Sequence, residues 1–89
     1  MHDQPTAGSP VDEDLQDEAV VLIHVVKAQP TTLRLSDLIR ELGDPEDFAK
    51  RDRIERAVRE LVRTGLLFRC EGAVLPTRPA IRAYEVLSR

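Results

Sequence analysis

The sequence is poor in the residue types on which several function classes depend. It has one tyrosine, two phenylalanines and no tryptophan, so a binder of single-stranded nucleic acid would have few rings on which to stack bases. Cys70 is the only cysteine, which excludes an internal disulfide and a cysteine-based zinc site. His2 and His24 are far apart, and neither has a partner at ligand spacing. We therefore expect no metal and no cofactor.

Long apolar runs are also missing. Residues 19–26 form the longest one, which His24 interrupts and which is too short to span a bilayer. The first residues are acidic and lack the basic start of a signal peptide. No serine, cysteine or carboxylate has a base and an orienting partner at motif spacing. We expect a cytoplasmic protein that is not an enzyme, with no catalytic residue, no small-molecule substrate and no membrane partner.

Charge is distributed unevenly along the 89 residues, whose formal net charge is −3. Residues 1–49 contain three basic and eleven acidic side chains, whereas residues 50–89 contain ten basic and five acidic ones. Such an asymmetry predicts one face that can meet an anion.

The length fits a single small domain, and turn and capping residues divide it into short elements. Residues 1–9 are predicted to be a disordered acidic tail, and residues 10–89 the domain. The predicted helices cover residues 10–28, 36–42, 48–64 and 78–87. Strands are predicted at 31–35, 66–70 and 73–76, with the last two forming a hairpin around Glu71-Gly72. Ser36 is the expected cap of the second helix, and Gly43 and Gly65 end the second and third.

The first predicted helix is apolar around much of its circumference. Apolar side chains recur at helical spacing, at Leu15, Ala19, Leu22, Ile23 and Val26. Val20, Val21 and Val25 widen this stripe. Either the helix is central to the core, or its second side meets another chain. We expect His24 to be a hydrogen-bonded residue at the core edge and Cys70 to pack in the hairpin.

Residues 53–67, with the sequence RIERAVRELVRTGLL, resemble the recognition helix and following strand of bacterial winged helix-turn-helix regulators, such as the multiple-antibiotic-resistance type. Residues 35–43, LSDLIRELG, look like the preceding helix of that family. The resemblance implies an α+β, mainly α fold: three core helices, a small antiparallel β-hairpin wing and a C-terminal helix. Ile39 replaces the usual small residue, and the acidic linker 44–52 is longer than usual.

The third predicted helix separates an apolar stripe from a charged face. At 100° per residue, Ala57, Val58, Leu61 and Val62 fall within about 80° of Ile54. A winged helix presents the opposite face to the DNA major groove, where the arginine fork can bind guanine or phosphate. The predicted DNA-binding residues are Lys50, Arg51, Arg53, Arg56, Arg59 and Arg69.

A simpler interpretation of these charges remains open. Asp52 and Arg56, and likewise Glu55 and Arg59, are spaced i,i+4, as in pairs that decorate a solvated helix. Arg69 is either a phosphate contact near the hairpin tip or an exposed charge beside Glu71. Two functions follow: a transcriptional regulator that binds double-stranded DNA as a homodimer, or a winged helix module that binds a protein partner and no DNA.

Overall fold

A computed structural model describes residues 10–89; the predicted tail, residues 1–9, lies outside the described residues. The helices are α1 (Pro10–Ala28), α2 (Leu35–Leu42), α3 (Phe48–Arg63) and α4 (Arg78–Leu87). The strands are β1 (Leu33–Arg34), β2 (Leu67–Cys70) and β3 (Ala73–Pro76). The fold is therefore α+β and mainly helical, as predicted, and the helices and the hairpin agree with prediction to within one residue at each end.

The three strands form an antiparallel sheet in the order β1-β3-β2. Leu33 of β1 lies opposite Val74, and Leu67 of β2 lies opposite Pro76. The hairpin turn has φ of +53° at Glu71 and +85° at Gly72, and a two-residue hairpin loop of the common twist needs positive φ at both positions. Gly72 adopts positive φ without a side-chain clash. The turn fixes the register of the two strands, and this register places Val74 in the core.

One face of α3 packs on α1 and on the sheet to make the core. The prediction for its apolar stripe is confirmed, because Ile54, Ala57, Val58 and Leu61 are buried and Val62 is half-buried. The remaining members of the core cluster come from α1, α2 and all three strands: Val21, Val25, Leu33, Leu38, Leu67 and Val74.

The apolar stripe predicted on α1 enters the core only in part. Val21 and Val25 are 1% exposed and Val26 is 8% exposed, whereas Leu15 is 59% and Ile23 44% exposed. Ala19 is exposed as well. Both sides of this helix carry apolar residues at helical spacing, so periodicity alone does not decide which side is buried. The side that packs against α3 and the sheet is the buried one.

The expected capping of α2 by Ser36 is also wrong. Strand β1 runs directly into the helix, so Arg34 is its N-cap residue. The Asp37 carboxylate accepts a hydrogen bond from the Arg34 backbone N–H at 2.9 Å and another from the Arg40 guanidinium at 2.8 Å. These bonds, the backbone one foremost, lower the pKa of Asp37 below its ordinary value.

Candidate functional site

Polar side chains hydrogen-bond to the backbone at both ends of α3. The Asp47 side chain accepts from the Lys50 backbone N–H at 3.1 Å, as an N-cap residue does. At the other end Gly65 has φ of +86°, a conformation that glycine adopts readily. The Thr77 hydroxyl then donates to the Gly65 carbonyl at 2.8 Å. The start of the hairpin and the start of α4 are thereby tied to the end of α3.

The predicted DNA-binding residues of α3 lie on different sides of the helix. At 100° per residue Arg56 and Arg59 lie opposite Ile54, whereas Lys50 is about 40° from Ile54 and borders a groove with Asp17 and Leu42. Lys50, Arg51, Arg56 and Arg59 are exposed, and Arg53 is half-buried. Among residues 12–89, Lys50 and Arg59 form no ion pair. Within residues 12–89, no carboxylate has to be displaced before an external anion reaches either of these two side chains.

Acidic side chains of α1 bind two of the predicted residues. The Arg53 guanidinium donates to both carboxylate oxygens of Asp17, each at 2.9 Å, and Arg56 lies 3.4 Å from the Asp14 carboxylate. The Asp17 side chain is only 20% exposed, and its hydrogen bonds and charge raise the pKa of Arg53. Arg53 therefore ties α3 to α1, while the longer and more exposed contact of Arg56 is the weaker one.

These α1–α3 pairs are absent from the sequence analysis because their partners are 36 and 42 residues apart. The i,i+4 pairs suggested by spacing are not the ones observed. Arg56 contacts Asp14 rather than Asp52, and Glu55 contacts Arg51 at 3.4 Å rather than Arg59. The sequence nevertheless contained an indication of these ion pairs. Helix α1 begins with a run of acidic residues, and Arg53 lies at the flank of the core stripe of α3.

The acids of α1 also repel one another where the two helices meet. Burial, together with the charges of Glu60 and Asp14, raises the pKa of Glu18. Glu60 is itself stabilised as an anion, because hydrogen bonds from Arg63, as short as 2.7 Å, lower its pKa. The seam between α1 and α3 is thus crowded with carboxylates, and it lowers the positive potential of the α3 surface.

The remaining predicted residues lie at separate places. Arg69 is exposed on β2, in line with either interpretation given above. The expectation that Cys70 packs in the hairpin is wrong, because Cys70 is exposed; it ends β2, whose last three residues are all exposed. His24 is half-buried and hydrogen-bonded to the Glu41 carboxylate, as expected for a residue at the core edge.

An exposed aromatic ring, which the sequence analysis did not single out, lies at the start of α3. Phe48 is 71% exposed and directly follows two acidic residues, Glu46 and Asp47. A large exposed apolar side chain beside acidic ones is unsuited to a phosphate backbone and suits a protein surface.

No cluster of His, Cys, Asp or Glu in the described part of the chain could hold a metal ion. None of the helices in residues 10–89 is both long and apolar enough to cross a membrane. Comparison with protein-family models, with curated proteins and with solved structures finds no match to this chain.

Proposed function

We propose that this chain is a winged helix-turn-helix domain that binds double-stranded DNA and acts as a non-enzymatic transcriptional regulator. In this proposal α3 is the recognition helix, and the β2–β3 hairpin is the wing. The observation that carries the proposal is the outward face of α3. The helix follows α2 and precedes the hairpin in the order that a winged helix requires, and its outward face presents Arg59, which has no acidic partner among residues 12–89. Lys50, which also has no such partner, is exposed in the first turn of the same helix.

Within this proposal the six predicted residues have different tasks. Arg59 enters the major groove, Lys50 and Arg69 bind phosphates, and Arg51 does so after it leaves Glu55, which lies 3.4 Å away. Arg56 joins them after it leaves Asp14, a contact of 3.4 Å between two exposed groups. Arg53 keeps its bidentate contact with Asp17 and fixes the position of α3 on α1.

Fluorescence anisotropy with a mixed-sequence duplex tests the proposal. Four phosphate contacts for each bound domain predict a slope of about −3 to −4 per domain in a plot of log K against log salt, which is roughly a hundredfold loss of affinity per domain between 50 and 200 mM salt. Absence of binding at 50 mM salt and ~100 μM protein would contradict the proposal.

A second candidate function rests on Phe48. If the domain binds a protein partner and no DNA, its partner covers this 71%-exposed ring and meets the acidic linker with basic groups. A Phe48→Ser variant then loses the partner, whereas charge changes at Arg59 have little effect. DNA binding that survives Phe48→Ser and fails in Arg59→Ala favours the first function.

Asp14→Asn is expected to tighten DNA binding, because the substitution removes the carboxylate that holds Arg56. An exposed ion pair contributes up to ~1 kcal/mol, so the expected gain is about two- to fivefold in affinity at 50 mM salt. The gain should shrink at 200 mM salt, where exposed charges are screened.

The matched control is Glu85→Gln, which makes the same charge change and breaks the 3.5 Å Arg82–Glu85 pair on α4. An equal gain in both variants would mean that only net charge matters and that Arg56 takes no part in binding.

A further inference from the structure

The apolar residues of α1 that do not enter the core form a row on its outward side. Leu15, Ala19 and Ile23 are four residues apart and all exposed. Val20 is 53% exposed beside them, where α1 borders an open groove against α2 and Leu33. Polar residues rim the row, with Gln16 and Lys27 also exposed. A continuous apolar patch with a polar rim is typical of an interface.

The spacing of this row suits a second copy of the same helix. A row of residues four apart is inclined to the helix axis, and two such rows lie side by side when their helices cross at about −50°. In an antiparallel pair centred on Ala19, Leu15 of each copy lies beside Ile23 of the other copy. The small Ala19 at the crossing point permits close approach of the two backbones.

The charges at the two ends of α1 favour the antiparallel orientation. The first turn carries Asp12 and Glu13, and the last turn carries Lys27. In the antiparallel pair each Lys27 reaches the acidic first turn of the other copy, whereas a parallel pair would place acid against acid and lysine against lysine. A two-fold axis repeats both favourable contacts.

We propose that a second copy of this chain covers the row Leu15–Ala19–Ile23, forming an antiparallel, two-fold α1–α1 dimer centred on Ala19. The interface extends over Val20 into the edge of the α1–α2 groove. The dimer presents two α3 helices to one duplex and so doubles the phosphate contacts, a consequence that rests on the proposed function. Self-association itself is measured without DNA, so its failure and the failure of DNA binding are distinguishable.

Disulfide trapping tests the centre of the interface. Ala19→Cys, in a chain in which Cys70→Ser removes the other exposed thiol, should oxidise to a covalent dimer at low micromolar concentration. The control is Gln16→Cys in the same background: Gln16 is also exposed on α1, but the two copies of this position are separated along the helices by ~9 Å. Linking at position 19 alone supports the proposal; equal linking at both positions, or none, overturns it.

Sedimentation equilibrium tests the energetics. Ile23→Glu should weaken dimerisation at least about a hundredfold, because a charge then enters the apolar row twice per dimer. Phe68→Glu is the control, since Phe68 is 45% exposed on β2, an edge strand that packs on β3 and α3. Lys27→Glu should weaken the dimer severalfold, and Asp12→Lys added to it should restore affinity. Wild-type protein that is monomeric at 100 μM, or equal effects of Ile23→Glu and Phe68→Glu, would overturn the proposal.

Discussion

Leu61→Ala is expected to lower the free energy of unfolding by about 2–5 kcal/mol, the range for removal of a buried leucine side chain that leaves a cavity. Leu61 is 2% exposed and belongs to the core cluster formed by α1, α2, α3 and the sheet. Its backbone carbonyl also accepts the Leu66 N–H at 2.9 Å, where the chain leaves α3 for the hairpin. The cost is a large part of the roughly 5–15 kcal/mol that stabilises a typical domain.

Urea denaturation followed by circular dichroism gives the measurement. Leu87→Ala is the matched control, because Leu87 is the last residue of α4 and is 83% exposed. It should change the unfolding free energy by at most about 0.5 kcal/mol. Equal midpoints for Leu61→Ala and the wild type would mean that α3 packs on a different face.

The elements could be predicted from the sequence because local residues determine them. Gly65 ends α3 through a conformation that glycine favours, and Glu71-Gly72 turns the hairpin. The buried face of α3 was also predictable, since apolar and charged residues are segregated on this helix. For such a segment, helical periodicity identifies both the element and its orientation.

The orientation of α1 could not be predicted in the same way. Val21 and Val25 compete with Leu15 and Ile23 at similar hydrophobicity, and tertiary contacts decide which side is buried. The candidate site was predictable only as a set of cations. Asp17 and Arg53 lie on different helices, 36 residues apart, and their pairing depends on the packing of α1 on α3.

Loss of Arg59 is expected to weaken DNA binding more than loss of Arg56, because Arg56 contacts Asp14 and Arg59 has no acidic partner among residues 12–89. Arg59→Ala should cost about 1–3 kcal/mol if the side chain reads a base, with relaxed preference at that position. If it holds a phosphate, binding should weaken evenly across sequences and the salt slope should fall by about one. Arg56→Ala should cost less, because part of the binding energy of Arg56 is used to displace Asp14.

Anisotropy titrations on selected and mixed duplexes at two salt concentrations separate these outcomes, with circular dichroism confirming that each variant is folded. Arg82→Ala on α4 makes the same change to an exposed, ion-paired arginine and should leave the sequence preference intact. The double variant Arg56→Ala/Arg59→Ala should lose nearly all preference for a selected site. If its isotherm matches that of the wild type, α3 does not contact DNA, and the exposed Phe48 becomes the first position at which to seek a protein partner.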